Sequence, residues 1–380
     1  MTQHWHHLCR GLAARGHEVC VVGLSPRRPG EAGPEGVRLV ATPLPQPSLA
    51  RRLGGWISSN ARHVPIDSVG STPTLGRRVE EVLATEEFDV ACVSTGEVAG
   101  VSRYLGGLPS VLAPLDAWEL NACARAELAP RALRWAYRRQ LSYVRDFVRR
   151  EYRAYGAIVF VSQQDAEATR TLDPTLPTRF VANGVDTDHF RPCAHPRSGK
   201  DVSFVGHMNF APNLDAARAL ARGIMPIVRR EHPDATLRLI GRSPGHVADL
   251  ARLPGVEIVG EVPDVLPELW RSSVFACPMR LGTGVKNKVL EAFASGVPVV
   301  ATPLGIRGTA AQGGEHLLLG NTDAEIARQI GLLLSSSAQV EEMTSAARDY
   351  VVEHHSWSGE VEAYEGILEE VSRAPRAVSR

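Results

Sequence analysis

The sequence predicts an α/β protein built from two doubly wound parallel-sheet domains. The chain has 380 residues, which is too many for one ordinary hydrophobic core. Short apolar segments alternate with helix-forming segments along its length, which is the pattern of βαβ units in a parallel sheet. A hydrophobic content of 44% with 22% charged residues is ordinary for a soluble globular protein.

Short, mostly apolar runs that end at turn-forming residues predict the strands. In the first half these are residues 18–24, 37–42, 88–94, 110–114 and 157–162. In the second half they are residues 201–206, 236–240, 274–279 and 297–301, with a strand-to-helix turn at 256–264. Parallel strands collect ligands beyond their carboxyl ends, so the residues that follow each strand are the candidates for function.

Helical periodicity predicts the intervening helices. They cover residues 6–16, about 75–87, much of 125–155, the segment after 162, the segment from about 214, and 357–371. Ser162 and Asn213 are predicted N-caps, because their side chains accept hydrogen bonds from the free amides at a helix start. The polar, proline-containing residues 191–200 predict a linker between the two domains.

Charge and cysteine content exclude several classes of protein. The 42 basic and 42 acidic residues cancel, so a nucleic-acid partner is not expected. The six cysteines include no CxxC pair and lie mostly in apolar surroundings, which indicates reduced thiols and a cytoplasmic location. No apolar run reaches the roughly 18 residues that span a bilayer, and no export signal is recognisable. His4, His6 and His7 lack a nearby carboxylate or cysteine, so no metal site is predicted there.

Residues 281–303 contain the strongest candidate site. Gly282 and Gly284 precede a run of helix formers, so backbone amides at the helix start can face an anion. Lys288 and Glu291 are three residues apart and share a helix face, whereas Lys286 projects nearly opposite to Glu291. A cation for a diphosphate and a carboxylate for a ribose diol together predict a site for a nucleoside diphosphate. The alternative is a helix start with solvated lysines.

The lysine content favours the first interpretation. The chain contains three lysines, Lys200, Lys286 and Lys288, among its 42 basic residues. Arginine is therefore the ordinary surface cation of this protein, and two of the three lysines lie in the candidate site.

Residues 288–302, KVLEAFASGVPVVAT, resemble the C-terminal signature of the retaining glycosyltransferases of family 4, which have the two-domain GT-B fold. Residues 8–22 and 180–192 resemble the first helix and second strand of that fold and its passage into the second domain. The family usually carries two glutamates eight positions apart. Glu291 matches the second, and Thr283 stands where the first would be, as in a sub-branch of exopolysaccharide-associated sugar transferases.

The resemblance implies the domain organisation. Residues 1–192 would form an acceptor-binding Rossmann-like domain, 193–356 a nucleotide-sugar-binding Rossmann-like domain, and 357–380 a helix that crosses back to the first domain. The two domains of a GT-B protein face each other across a cleft. The family's first strand and its glycine-rich loop have no counterpart before residue 8, so the first N-terminal strand is expected to be absent from this sequence.

The resemblance also implies roles for single residues. Family 4 members commonly hold the diphosphate with an arginine and a lysine in the loop after residue 206, and neither is present here, so hydrogen bonds from His207 and Asn209 are expected instead. Asp116 is expected to contact the donor sugar or the acceptor, or else to cap the following helix. The predicted catalytic residues are Asp116, Lys288 and Glu291. The predicted donor-binding residues are Gly206, His207, Asn209, Arg242, Val262, Gly282, Thr283, Gly284, Val285 and Lys286, and the predicted acceptor-binding residues are Glu97 and Trp118.

The implied reaction is sugar transfer from a nucleoside-diphosphate sugar to a hydroxyl group, with retention of configuration and without metal or cofactor. The alternatives are a non-catalytic nucleotide-sugar-binding partner protein and a nucleotide-sugar epimerase of the same fold. An NAD-dependent oxidoreductase is the weakest alternative, because no GxGxxG follows a strand.

Residues 125–155 are arginine-rich and amphipathic. Such a surface can bind anionic lipids, which would place the protein peripherally at the inner face of a membrane. It can equally be a core helix with a solvated face.

Overall fold

The computed structural model describes residues 3–25, 35–43, 58–61, 63–69, 71–193, 199–282 and 284–374. These residues form two compact units. Unit 1 comprises residues 1–182 together with 358–380, and unit 2 comprises residues 183–357. The chain enters unit 2 at Asn183, upstream of the linker that the sequence indicates.

Unit 1 contains two parallel sheets. Strands β1 (Val19–Ser25) and β2 (Val37–Pro43) pair with each other. Strands β3 (Ala91–Ser94), β4 (Ser110–Leu115), β5 (Ala157–Phe160) and β6 (Thr178–Phe180) form a second sheet in sequence order. Among the described residues no ladder of hydrogen bonds joins β1 to β3, so the unit has two sheets where the sequence predicted one continuous sheet.

The helices of unit 1 cover these sheets. They are α1 (Gln3–Ala14), α2 (Ser71–Leu83), α3 (Trp118–Leu128), α4 (Arg134–Glu151), α5 (Gln163–Leu172) and α12 (Trp357–Arg373), of which α12 joins this unit from residue 358. Ser162 caps α5 as predicted, because its hydroxyl accepts from the amide of Asp165. Helix α12 packs against α1, where Glu360 pairs with His4 at 3.0 Å and Val361 lies against Gly11.

Unit 2 is a six-stranded parallel sheet with helices around it. Its strands are β7 (Asp201–Val205), β8 (Thr236–Ile240), β9 (Val256–Gly260), β10 (Val274–Cys277), β11 (Val299–Ala301) and β12 (Leu318–Leu319). Its helices are α6 (Ala211–Ala219), α7 (Met225–Glu231), α8 (Leu266–Arg271), α9 (Asn287–Ala294), α10 (Asp323–Ser335) and α11 (Ser337–His354). Most of the side chains in β7, β8, β10 and β11 are buried, as expected for strands covered on both faces, whereas the edge strand β9 is mostly half-buried.

The strand order in unit 2 is β12-β11-β10-β7-β8-β9. The first strand in sequence, β7, therefore lies in the middle of the sheet. From β7 the chain continues to one side through β8 and β9, and then returns to the other side through β10. A reversal of this kind opens a crevice beyond the carboxyl ends of the two central strands, which is where open α/β sheets bind ligands. Residues 206–210, after β7, and residues 278–282 and 284–286, after β10, border this position.

A buried arginine stabilises the sheet of unit 2. Arg238 lies in β8 and its side chain is 2% exposed. Its guanidinium donates to the carboxylates of Glu257 and Glu268, on β9 and α8. Burial of a guanidinium is tolerated when it is paired with carboxylates, so this cluster joins the strand to its neighbours by charge as well as by packing.

We expect Arg238→Ala to lower the free energy of unfolding by about 2 to 4 kcal/mol, because Glu268 would be left without its cation and the removed side chain would leave a void. Arg242→Ala is the matched control, since Arg242 follows the same strand and pairs with Glu261 at 2.9 Å on the surface. That substitution should cost less than about 1 kcal/mol. Urea unfolding of both variants measures the difference, and equal losses would contradict the role given to Arg238.

Candidate functional site

The loop before α9 contains two glycines with left-handed backbone conformations. Gly282 and Gly284 have φ of 106° and 70°, which is the left-handed region that favours glycine. Helix α9 begins at Asn287 and ends at Ala294. Gly296 follows at φ 65° and closes the helix as predicted. Thr283 lies outside the described residues, and Val285 is half-buried between the glycine loop and the helix.

Lys288 is held beneath the loop that follows β7. Its Nζ donates to Oδ1 of Asn213 at 2.7 Å and lies 4.4 Å from the centroid of the Phe204 ring. A Cβ built on Gly206 would lie 3.1 Å from this Nζ, so the glycine leaves room for the ammonium. Burial lowers the pKa of Lys288 to about 8. A cation that is poorly hydrated and already positioned is well suited to bind a diphosphate.

Asn213 has a role that the sequence did not reveal. Its Nδ2 donates to the carbonyl oxygen of His207 at 3.1 Å, while its Oδ1 accepts from Lys288. The prediction that Asn213 caps its helix is wrong. Helix α6 begins at Ala211 with Phe210 at the N-cap position, because Pro212 starts the helix earlier than the apolar pattern indicated. Asn213 therefore lies inside the first turn, where it orients both Lys288 and the loop.

Glu291 lies one turn after Lys288 on α9. Burial raises the pKa of its carboxyl to about 7, and the positive charges of Lys288 and His189 partly oppose that effect. Within the part of the chain that the structure describes, the carboxylate of Glu291 accepts no hydrogen bond. A half-buried acceptor without protein donors is suited to two neighbouring hydroxyl groups of a ligand. The structure thus brings together the lysine and the carboxylate that the spacing predicted.

The sequence predicts that Lys286 projects nearly opposite to Glu291, and the structure places its side chain against the backbone of the glycine loop. It is 9% exposed, and its Nζ donates to the carbonyl oxygen of Gly284 at 2.6 Å. The helical rotation used to predict its direction does not apply, because Lys286 precedes the first helical residue. Its charge lies in the glycine loop and lowers the pKa of Lys288 further.

Three exposed side chains lie at the ends of neighbouring strands in unit 2. His207 and Asn209 are exposed on the loop after β7, and Arg242 is exposed after β8. The backbone joins the two loops, since the amide of Met208 donates to the carbonyl oxygen of Arg242 at 2.9 Å. Val262 is half-buried in the loop after β9. The predicted donor-binding residues of unit 2 that the structure describes therefore lie along one edge of its sheet.

The loops after β7 and β8 approach each other so closely that side chains are excluded. A Cβ at position 241 would overlap the carbonyl oxygen of Gly206, and Gly241 has a φ of 130°. A side chain at Gly206 would press against Asn213 and Lys288. The close approach favours glycine at both positions, and at Gly241 the left-handed backbone conformation favours it as well.

In unit 1 the strand ends carry backbone strain beside the predicted acceptor residues. Thr95, after β3, has φ 70°, and Leu115, the last residue of β4, has φ 69°. Residues other than glycine rarely adopt such angles, and they occur mostly where function requires them. Thr95 precedes Gly96 and Glu97, and Leu115 precedes Asp116. The strain is therefore found at both positions where the sequence placed an acceptor carboxylate.

Trp118 does not fit its predicted contact with an acceptor. It is 5% exposed, and its ring packs edge to face against Phe147 with the centroids 5.6 Å apart. Trp118 begins α3, and the apolar face of α4 covers it. The position of Trp118 after a strand indicated an aromatic residue that binds the acceptor, but its side chain belongs to the hydrophobic core.

Two further properties concern metals and membranes. Across the residues described, no group of three or more His, Cys, Asp or Glu side chains is placed to hold a metal ion. No described helix is both long and apolar enough to cross a bilayer.

Two family models match the chain. The model described as Glycosyltransferase Family 4 matches residues 1–189, and the model described as Glycosyl transferases group 1 matches residues 199–336. Together with two α/β units of parallel sheet, these matches define the class of protein. The chain is a glycosyltransferase of the family 4 type with the GT-B fold.

Two curated proteins are similar in sequence. The D-inositol 3-phosphate glycosyltransferase of Rhodococcus erythropolis is 27% identical over 244 residues, which cover 57% of this chain and 53% of that protein. An uncharacterized 44.6 kDa protein in the cps region of Klebsiella pneumoniae is 25% identical over 170 residues, which cover 41% of this chain and 42% of that one. The chain thus matches about half the length of these relatives.

Solved structures share the fold over nearly the whole chain. Sucrose-phosphate synthase from Thermosynechococcus elongatus has a TM-score of 0.73 at 16% identity, covering 97% of this chain and 92% of that one. WaaG, a glycosyltransferase involved in lipopolysaccharide biosynthesis, has a TM-score of 0.67 at 15% identity, covering 96% and 95%. Anabaena HepE in complex with UDP and glucose has a TM-score of 0.64 at 14% identity, covering 96% and 95%. The predicted fold class is confirmed.

The buried carboxyl of Glu291 leads to a prediction about stability. Because its folded pKa is raised from 4.5 to about 7, the folded state holds a proton between these pH values that the unfolded state has released. The free energy of unfolding should therefore fall as the pH rises through this window, and above pH 7 the cost of burying the charge is fully present.

We expect Glu291→Gln to be more stable than the wild type at pH 8, by about 1 to 3 kcal/mol, and to approach the wild type at pH 4.5. Glu341→Gln, at an exposed position of α11, serves as the control and should change stability little at either pH. Urea unfolding at the two pH values measures both variants. If the wild type were more stable than Glu291→Gln at pH 8, burial of the charged carboxylate would not lower the free energy of unfolding, which would contradict the prediction.

Proposed function

We propose that the chain transfers a sugar from a nucleoside-diphosphate sugar to a hydroxyl group of an acceptor, with retention of anomeric configuration. The observation that carries the proposal is the pair formed by Lys288 and Glu291 on α9, at the position where the strand order of unit 2 reverses. Lys288 supplies a poorly hydrated cation, and Glu291 supplies a carboxylate that accepts no hydrogen bond from the described residues.

Breaking the glycosidic bond places negative charge on the departing diphosphate. Lys288 and the amides of the Gly282–Gly284 loop would stabilise that charge, and the exposed guanidinium of Arg242 can turn toward it from the next strand end. Binding of the anion favours the charged form of Lys288, because it replaces the hydration that burial removed. These cations make a divalent metal unnecessary, and we propose that transfer needs neither metal nor cofactor.

Glu291 would accept hydrogen bonds from the two ribose hydroxyls. Donors of this kind favour the ionised carboxylate, so nucleotide binding would lower the pKa of Glu291 from about 7. The solved complex of Anabaena HepE contains UDP and glucose, which supports a nucleotide-sugar donor for proteins of this fold. His207 and Asn209 would add hydrogen bonds where relatives commonly use charged residues.

In a retaining reaction of this type the acceptor attacks from the side that the leaving group vacates, and an oxygen of the diphosphate takes the proton. No protein nucleophile is then needed. Glu97 and Asp116, at the strained strand ends of unit 1, are the carboxylates proposed to orient the acceptor hydroxyl. Asp116 could in addition accept from the donor sugar.

Thermal stability against UDP, GDP and dTDP, with and without EDTA, tests the donor site. A ligand at about 100 times its dissociation constant should stabilise the protein by roughly 2.7 kcal/mol. Lys288→Ala and Glu291→Gln should abolish the effect. Lys200→Ala is the matched control, because Lys200 precedes β7 and pairs with Asp234 at 3.0 Å away from the site.

One nucleoside diphosphate should raise the melting temperature of the wild type and of Lys200→Ala equally, with no effect of EDTA. Incubation with the corresponding nucleotide sugars then measures turnover, and the anomeric configuration of the product is read by NMR. Binding without turnover would favour a non-catalytic partner protein, and interconversion of sugar epimers would favour an epimerase. Loss of binding in EDTA would overturn the metal-independent site.

We also propose that the protein works at the inner face of a membrane, through the surface of α4 and the residue before it. Leu133, Trp135 and Tyr137 are 50%, 62% and 39% exposed at the start of this helix. Farther along, Arg138, Arg145 and Arg149 line one side of a shallow groove of about 450 Å³. Exposed aromatic side chains beside a row of arginines match an anionic lipid surface in both polarity and charge.

Sedimentation with lipid vesicles tests this surface. The protein should bind vesicles that contain phosphatidylglycerol, bind phosphatidylcholine vesicles weakly, and dissociate as salt is raised. The double substitution Arg138→Glu and Arg145→Glu should weaken binding at least about tenfold, since each basic residue near such a surface contributes about 1 kcal/mol. Arg252→Glu with Arg328→Glu, two exposed arginines of unit 2, is the matched control. Equal binding by the two double variants would refute the assignment to α4.

A further inference from the structure

Helix α9 is too short to be stable without contacts to the rest of unit 2. It contains eight residues, or about 12 Å, and a helix of that length is marginal without tertiary support. No side chain caps its first turn, and the glycine loop before it is conformationally permissive. The positions of Lys288 and Glu291 must therefore be set by what holds the two ends of α9.

The amino end of α9 is held by a polar chain of contacts. Nδ2 of Asn183 donates to Oδ1 of Asn287, the first residue of the helix. Behind it, Nδ1 of His355 donates to the carbonyl oxygen of Asn183 at 2.9 Å. The carbonyl oxygen of His355 in turn accepts from the amide of Val185 at 2.7 Å. His355 therefore fixes the backbone on both sides of Gly184.

His355 is itself held in one orientation. Its Nε2 accepts from the hydroxyl of Tyr350 at 2.9 Å, and that hydroxyl accepts from the amide of Ala310 at 2.8 Å. These partners specify the neutral ring with its proton on Nδ1. Burial also lowers the pKa of His355, which favours the neutral form. The ring is 4% exposed, so solvent does not compete for these bonds.

The carboxyl end of α9 is held by Arg348, on α11. One guanidinium nitrogen donates to the carbonyl oxygen of Ala294, the last residue of α9, at 2.7 Å, and to that of Phe190 at 2.6 Å. The other donates to the carbonyl oxygen of Thr187 at 2.8 Å. A single planar side chain thus ties the helix end to residues 183–190, the segment that Asn183 begins.

The same segment reaches the carboxylate of the site. His189 pairs with Asp264 at 3.1 Å, and its charge favours the ionised form of Glu291. Residues 183–190 therefore lie along α9 from its first residue to its last. The side chains that hold this segment in place come from the end of α11 and the residue that follows it.

We propose that His355 and Arg348 are positioning residues of the nucleotide site. His355 acts through Asn183 on the first residue of α9, and Arg348 binds the last residue of α9 directly, so that together they fix Lys288 and Glu291. The inference rests on the proposed function where it names a nucleoside diphosphate as the ligand. A displacement of about 1 Å at a binding group is enough to lower affinity strongly. Loss of the contacts made by His355 or Arg348 should therefore weaken ligand binding.

The test compares His355→Ala and Arg348→Ala with Arg229→Ala. Arg229 is the matched structural control, since its guanidinium also donates to a backbone carbonyl, that of Ala235, which directly precedes β8. UDP, GDP and dTDP are titrated by calorimetry well below the melting temperature of every variant, and amide hydrogen exchange is followed in residues 287–294.

All three variants should melt at lower temperature than the wild type. Only His355→Ala and Arg348→Ala should raise the dissociation constant of the bound diphosphate, by about tenfold or more, and speed the exchange of residues 287–294. Asn183→Ala and Asn287→Ala should be strongly non-additive in the dissociation constant, because either change breaks the same hydrogen bond.

Unchanged affinity with unchanged exchange in α9 would overturn the inference and leave His355 and Arg348 with a role in stability alone. If the wild type binds none of the three diphosphates, the proposed function has failed. Amide hydrogen exchange in residues 287–294 needs no ligand and then tests the inference alone. Faster exchange in His355→Ala and Arg348→Ala supports it, and unchanged exchange contradicts it.

Discussion

The hydrogen bond between Lys288 and Asn213 is the interaction on which the site of unit 2 depends. It joins the helix after β10 to the helix after β7, across the point where the strand order reverses. Through the second bond of Asn213, to the carbonyl of His207, it also fixes the loop that borders this crevice. Without it, the ammonium of Lys288 would lose its polar partner, and the ion pair of Arg280 with Asp215 at 2.9 Å would remain as the polar side-chain link between the described residues after β10 and the helix after β7.

The surrounding structure compensates for the cost of that burial. A lysine and a glutamate whose charged forms are both disfavoured in the free protein are kept together by a rigid sheet, a buried arginine cluster and a helix held at both ends. Such a site is less stable empty than occupied, as is common where binding groups are positioned before the ligand arrives. The fold holds the two side chains in place. A bound ligand would supply a negative charge beside Lys288 and hydrogen-bond donors to Glu291.

The sequence predicted much of this site because its signals are local. Gly282 and Gly284 mark the loop, and Gly296 marks the end of α9. The three-residue spacing of Lys288 and Glu291 places them on one face of the helix. Contacts between segments that are far apart in the sequence cannot be predicted from local sequence patterns. Asn213 looked like a cap, and Trp118 looked like a binding residue. Asn183, Asn287, Arg348 and His355 could not be connected, since more than 150 residues separate the first from the last. The contact of Lys286 with the carbonyl oxygen of Gly284 could not be predicted from helical rotation, because Lys286 precedes the helix.

The close approach of Gly206 and Gly241 limits how this site can be redesigned. Any side chain at either position would collide with backbone or with the groups that hold Lys288. The two glycines beneath the site are therefore sterically constrained, whatever sugar or base the protein accepts. Changes of ligand preference, whether by natural drift or in the laboratory, have to be made at exposed side chains such as His207, Asn209 and Arg242, which can be exchanged without moving the sheet beneath them.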